Sequence, residues 1–319
     1  MMRIVRVIRL IRGYDVNLSF LVSIFASDIL PIFVIAGIGF LLARRLKASV
    51  TTLAHVAFYV FSPCFAFTTL ITSNVTGSQV GSMVLLAILV MVAMGVIARV
   101  AAIPLRLSRA ELSAFMLVVI FSNGGNYGLP VVMFAFGNEG LSRGTLYFVT
   151  SAILTYTFGV FLAAAGRRSL RDAFSGIARV PAVYGVTAAL VVLATHAAIP
   201  LSLMRPVRLL ADGLIPTMIL VLGMQLERVK KFERPGFVAL AVVLSLVVTP
   251  IVALGLTWVL GITGPARQAG VLLASMPSAV ITTILAVEFD VAPTLVTNVV
   301  FVTTVISPLT LTFLIAYLR

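Results

Sequence analysis

The chain has 319 residues, 61% of them hydrophobic and 10% charged, with a net charge of +13 and a mean hydropathy of +1.17. A soluble core has no use for that much apolar surface, so the composition excludes an ordinary water-soluble enzyme and implies an all-α polytopic membrane protein. The basic residues fall between apolar runs, where they serve topology and lipid headgroups rather than nucleic acid.

In chain order, residues 1–24 form a basic tail. Its opening, "MMRIVRVIRLIR", spaces Arg3, Arg6, Arg9 and Arg12 along one broad face of an interfacial helix. Ten apolar spans follow, at 25–43, 50–72, 80–104, 112–136, 144–165, 180–199, 207–226, 236–261, 267–288 and 293–318. A membrane helix needs roughly 17–25 such residues. Loops after the odd-numbered spans hold fourteen lysines and arginines; those after the even-numbered spans hold four, Arg143, Arg205, Arg208 and Arg267. The positive-inside rule places the richer set in the cytoplasm and both termini outside.

The fourth span is interrupted by "SNGGNYGLP", Ser122 to Pro130. Glycine weakens a helix by about 1 kcal/mol against alanine, and proline removes a donor and clashes with the preceding turn. Gly124, Gly125, Gly128 and Pro130 together predict a local break. Unpaired backbone in hydrocarbon costs several kcal/mol per group, so a break persists only where protein or water covers it. Asn123 and Asn126 add amides that a merely packing segment has no need of. The ninth span carries a second interruption, "LLASMPSAVITT", with Pro277 flanked by Ser275 and Ser278.

Other polar residues within spans are Ser62 beside Pro63, Thr155 and Tyr156 in the fifth span, and Thr282 and Thr283 after Pro277. Serine and threonine commonly bond back to their own helix, so these are softer candidates. Gln225 and Trp258, near the ends of their spans, read as interfacial.

Five spans on each side of the basic connection at 166–179 give halves of opposite orientation, 25–165 and 180–319, which is the arithmetic of an inverted repeat. Pro31 and Pro181, Pro63 and Pro216, and Pro130 and Pro277 recur at offsets of 150, 153 and 147 residues. Interrupted spans in corresponding positions of two halves point to a transporter's binding site. The acidic residues lie near span ends or in loops, without the mid-span acid pair of a carboxylate-based antiporter. No phosphate-binding loop or hydrolase motif is present, so no enzymatic activity is expected. One cysteine, Cys64, and two distant histidines, His55 and His196, predict neither a metal site nor another cofactor.

"SNGGNYGLP" and the run "ASMPSAVITTILAVEFDVAPTLVTNVVFVTTVISPLTLTFLIA" resemble the auxin efflux carrier family, in a short, prokaryotic type. The resemblance implies ten helices in two inverted five-helix repeats, with helices 4 and 9 broken and crossing. That is an elevator fold like those of sodium/proton antiporters and bile-acid symporters. It implies a multi-pass plasma-membrane transporter of small organic anions, auxin-like or dicarboxylate, working among membrane lipids, with a homodimer as the expected assembly. The residues carried over are Asn123, Asn126 and Pro130 in one crossing and Pro277 with Ser278 in the other; Ser62 and Tyr156 complete the candidate binding set. Two alternatives stay open: a sodium- or proton-coupled carrier of another solute, and a non-transporting receptor or scaffold.

Overall fold

A computed structural model describes residues 18–72, 76–164, 180–226 and 233–319. The basic tail up to residue 17 and the connection at 166–179 lie outside them. The described residues form helices α1 (Leu18–Leu46), α2 (Val50–Ile71), α3 (Gly77–Leu105), α4 (Arg109–Ile120), α5 (Gly124–Ala163), α6 (Pro181–Thr195), α7 (Leu201–Leu226), α8 (Pro235–Val259), α9 (Gly264–Ala274), α10 (Ile281–Glu288) and α11 (Pro293–Leu318).

Seven of these helices, α1, α2, α3, α5, α7, α8 and α11, are long and apolar enough to cross a membrane. The chain is an all-helical polytopic membrane protein. The difference from ten expected spans has a local cause at each place. Segment 112–136 is divided between α4 and the first arm of α5, and segment 267–288 between α9 and α10. Segment 180–199 yields only the 15-residue α6. Gly137, at φ 62° and ψ −161°, bends α5 where a loop was expected.

Local chemistry sets several starts. Thr76 with Gln79 caps α3, and Ser108 with Glu111 caps α4, each satisfying orphan N–H groups reciprocally. Glu111 also pairs with Arg234 at 3.0 Å, tying the start of α4 to that of α8.

Among the described residues, five helical turns are widened to π geometry. Four of them, Phe25–Ile29, Ala57–Phe61, Gly124–Gly128 and Leu244–Val248, end two residues before Pro31, Pro63, Pro130 and Pro250. Proline has no N–H to give and its ring collides with the carbonyl four residues back. That residue is Ser27, Tyr59, Asn126 or Leu246, the middle of the widened turn in every case.

Two helix pairs approach to backbone contact. On α1 and α7, a Cβ added at Gly39 would lie 2.1 Å from the Leu220 carbonyl oxygen, and one at Gly223 1.7 Å from that of Ala36. On α6, a Cβ at Gly185 would lie 2.1 Å from the Pro63 oxygen of α2. Small residues permit such approach where lipid gives helices no hydrophobic drive to associate. At one end of the bundle, buried Asp28 accepts from Arg319 at 2.6 Å and from Ser27 at 2.7 Å, and Arg319 also donates to the Ala135 carbonyl at 3.3 Å. This joins α1, α5 and α11.

Candidate functional site

The two interruptions meet. α4 ends at Ile120, and Phe121 and Asn123 leave the helical region before α5 begins. α9 ends at Ala274, and α10 starts only at Ile281. Between them Ser122 and Ser278 form an antiparallel bridge. Asn123 N–H donates to Pro277 O at 2.7 Å, and Ala279 N–H donates to Phe121 O at 2.8 Å. The backbone groups released by each break are thus satisfied by the other, as burial requires.

The serine side chains extend the exchange. Ser122 Oγ donates to Leu273 O at 2.9 Å, and Ser278 Oγ donates to Val118 O at 2.6 Å. Both acceptors sit in the last turn of the opposite short helix, where carbonyls run short of intrahelical donors; Leu273 O also takes the Met276 N–H at 3.4 Å and Val118 O the Ser245 hydroxyl at 3.5 Å. Ser278 N–H goes to Thr303 Oγ1 of α11 at 3.2 Å.

Glycine makes room for the crossing. A Cβ at Gly128 would stand 2.5 Å from Leu273 Cδ2 and 3.0 Å from Met276 Cγ; one at Gly125 would stand 2.9 Å from Phe148 Cε2. Pro130, itself buried, widens the turn centred on Asn126.

A cavity of about 590 Å³ lies against the crossing. One wall is Ser122, Asn123, Gly124, Gly125 and Asn126; another is Ala279, Val280, Ile281 and Thr283. α2 adds Phe58, α5 adds Phe148, Ser151, Thr155 and Tyr156, and α7 adds Met218 and Gln225. Asn123 is 5% exposed, and its side-chain nitrogen has no hydrogen-bond partner. Asn126 Nδ2 lies 3.5 Å from Gln225 Oε1, at the outer limit of a hydrogen bond. The starts of α5 and α10 both line the space. Among the described residues, no lysine or arginine lines it; its ionisable groups are His55, Tyr59, Tyr156 and Glu288, with His55, Tyr59 and Glu288 exposed.

The family described as membrane transport protein matches residues 24–175 and 167–315. The chain belongs to that family, the auxin efflux carriers. An uncharacterized transporter of Methanothermobacter thermautotrophicus is 27% identical over 266 residues, covering 81% of this chain and 85% of that protein. An uncharacterized transporter of Methanocaldococcus jannaschii is 24% identical over 263 residues, covering 80% and 85%. Family and relatives are transporters, not enzymes.

In this transporter Asn123, Asn126, Tyr156, Gly124 and Gly125 come together on the cavity. Ser62, Pro130, Pro277, Ser278 and Gly128 are not on its wall. Ser62 Oγ donates to Phe58 O of its own helix at 2.5 Å, while Pro277 and Ser278 hold the crossing. Thr283 faces the cavity, whereas Thr282 is buried on Ala279 O at 2.6 Å. Gln225, read from sequence as interfacial, lines the transporter's cavity. Its sequence signal is slight: a lone amide two residues after Gly223, the glycine that lets α7 close on α1.

Proposed function

We propose that this transporter carries a small organic anion, a carboxylate of auxin-like or dicarboxylate type, across the plasma membrane by elevator-type alternating access. The observation that carries the reading is the cavity beside the Ser122–Ser278 crossing, into whose wall is built a buried asparagine amide with no protein partner. The starts of α5 and α10 line the same space; the Gly124, Thr282 and Thr283 N–H groups bond locally to the Ser122, Ala279 and Val280 carbonyls, and the helix ends carry partial positive charge. They supply a positive field that attracts a carboxylate without a fixed cation, and Asn123 and Asn126 orient it.

An inverted repeat of five plus five spans is supported by the reciprocal bonds of the crossing and by the packing of α1 on α7 and α2 on α6. If residues 25–165 and 180–319 are the two repeats, these are equivalent pairs: first span on seventh, second on sixth. They form the static part, and the segments carrying the crossing move. The cavity runs from the crossing toward Val50, Leu226 and Glu288, at the end that carries Arg44, Arg45 and Lys47. With basic loops inside, this is the cytoplasmic end, and the conformation faces inward. At the opposite end the Asp28–Arg319 pair closes the bundle.

The test is flux in liposomes reconstituted with purified protein, using labelled auxin, malate and malonate. Wild type moves at least one of them. Asn126→Ala abolishes that flux while expression and thermal stability stay close to wild type. Normal flux in the variant removes Asn126 from the site, and absence of flux for every acid removes the substrate class.

A further inference from the structure

Arg143 is the most costly side chain that the proposed function leaves unused. It lies in the second arm of α5, six residues beyond the bend at Gly137, and is 9% exposed. From sequence it counts as an outer-loop charge. In the fold it sits between Ser142 and Gly144, both buried; a Cβ on Gly144 would stand 3.1 Å from Leu273 Cδ1 of α9. Neither ion pair among the described residues includes it. Guanidinium stays protonated in any protein, so the group cannot escape the cost of burial by neutralising.

Its hydrogen bonds are one-sided. Nη1 donates to Glu139 O at 3.1 Å and reaches Ser142 Oγ at 3.3 Å. Nε is buried with no partner, and no described group bonds Nη2. The unpaired Nε–Nη2 edge is the edge that grips a carboxylate or phosphate with two parallel bonds. Arg143 is also separate from the crossing cavity. Phe148, which lines the cavity, follows it by five residues, about 7.5 Å along the helix at the usual rise.

We infer that Arg143 is the core of a second anion site, which takes one oxyanion of the carboxylate or phosphate class on the Nε–Nη2 edge. By the charge distribution of the loops it serves the outer end of the molecule. Two sources carry this chemistry: a free organic acid and an anionic lipid headgroup. The bonding pattern alone carries the inference, which holds whether or not the crossing cavity binds carboxylates.

Thermal unfolding of the full-length protein tests it. Sodium malonate is titrated against sodium chloride at equal ionic strength, and phosphatidylcholine nanodiscs are compared with and without phosphatidylglycerol. The background is Asn126→Ala, which silences the crossing, so a failure here is separable from a failure of the transport reading. A rise in Tm with malonate identifies a free acid, and a rise with phosphatidylglycerol identifies a headgroup. In either case Arg143→Gln abolishes the rise, and Arg143→Lys, a point charge without the fork, weakens binding at least tenfold. Without anion, Arg143→Gln is at least as stable as its parent, because an uncompensated buried charge is gone. A rise that survives Arg143→Gln, or no rise with either probe, overturns the site. So does a clear loss of stability in Arg143→Gln without anion, since the protein itself would then be answering the charge.

Discussion

The two halves of the crossing solve one backbone problem with different side chains. Each contributes one bridging serine, and each serine hydroxyl reaches a carbonyl in the last turn of the opposite helix. There the likeness stops. The first half presents Ser122, Asn123 and Asn126 to the cavity; the second presents Ala279, Val280 and Ile281 beside the crossing, with Thr283 and, at the far end of α10, Glu288 as its polar side chains. Holding a broken helix together therefore takes serines and backbone, and the asparagines are surplus to it. The difference separates a structural layer from a cavity-facing layer within about ten residues of chain.

The sharpest way to break this comparison is to fill the glycine side. Gly128 has no room for a Cβ, because Leu273, Met276 and the Asn123 carbonyl all stand within 3.3 Å of it. Gly128→Val is expected to cost at least the 1–3 kcal/mol usual for overpacking, about the upper end here because three groups must move at once. Loss of monodisperse protein on size exclusion is the readout. Wild-type yield would mean that the crossing is looser than its geometry.

Next come the two serines. Ser278 is 1% exposed, so Ser278→Ala leaves the Val118 carbonyl, away from water, with only the Ser245 hydroxyl at 3.5 Å, at a cost of about 1–3 kcal/mol. Ser122 lines the cavity and is only half-buried. Water can replace its hydroxyl, and Ser122→Ala is expected to cost no more than about 1 kcal/mol. Thermal unfolding of both variants decides. Equal losses would show that the cavity is dry at Ser122.

How far this was legible in the sequence depends on distance along the chain. The first break is written locally, in three glycines, two asparagines and a proline within nine residues, and the wide turn follows from Pro130 alone. The contact between breaks is not, because Ser122 and Ser278 lie far apart in the chain and each looks like any serine bonding back to its own helix. Ser62 and Tyr156 show the same limit. Both are polar residues within apolar runs, yet one spends its hydroxyl on Phe58 and the other faces the cavity. Arg143 escaped because a polar stretch around Gly137 reads as a loop, whereas a single bend lets the helix continue and bury it.

The smallest expected effect is the most informative about the cavity-facing layer. Asn126 and Gln225 touch across 3.5 Å, from α5 to α7. A contact that long holds little energy, so in unfolding without substrate Asn126→Ala and Gln225→Ala are expected to add, with a coupling below about 0.5 kcal/mol. That weakness suits a contact which a carboxylate displaces: the less the amides gain from each other, the less the ligand must overcome. Gln225→Glu tests the same point from the charge side. It leaves stability near wild type but sets a negative group against Asn126, and it raises KM for an anionic substrate about tenfold or more while a neutral solute is unaffected. A strong Asn126–Gln225 coupling without ligand would move both residues into the structural layer beside the serines.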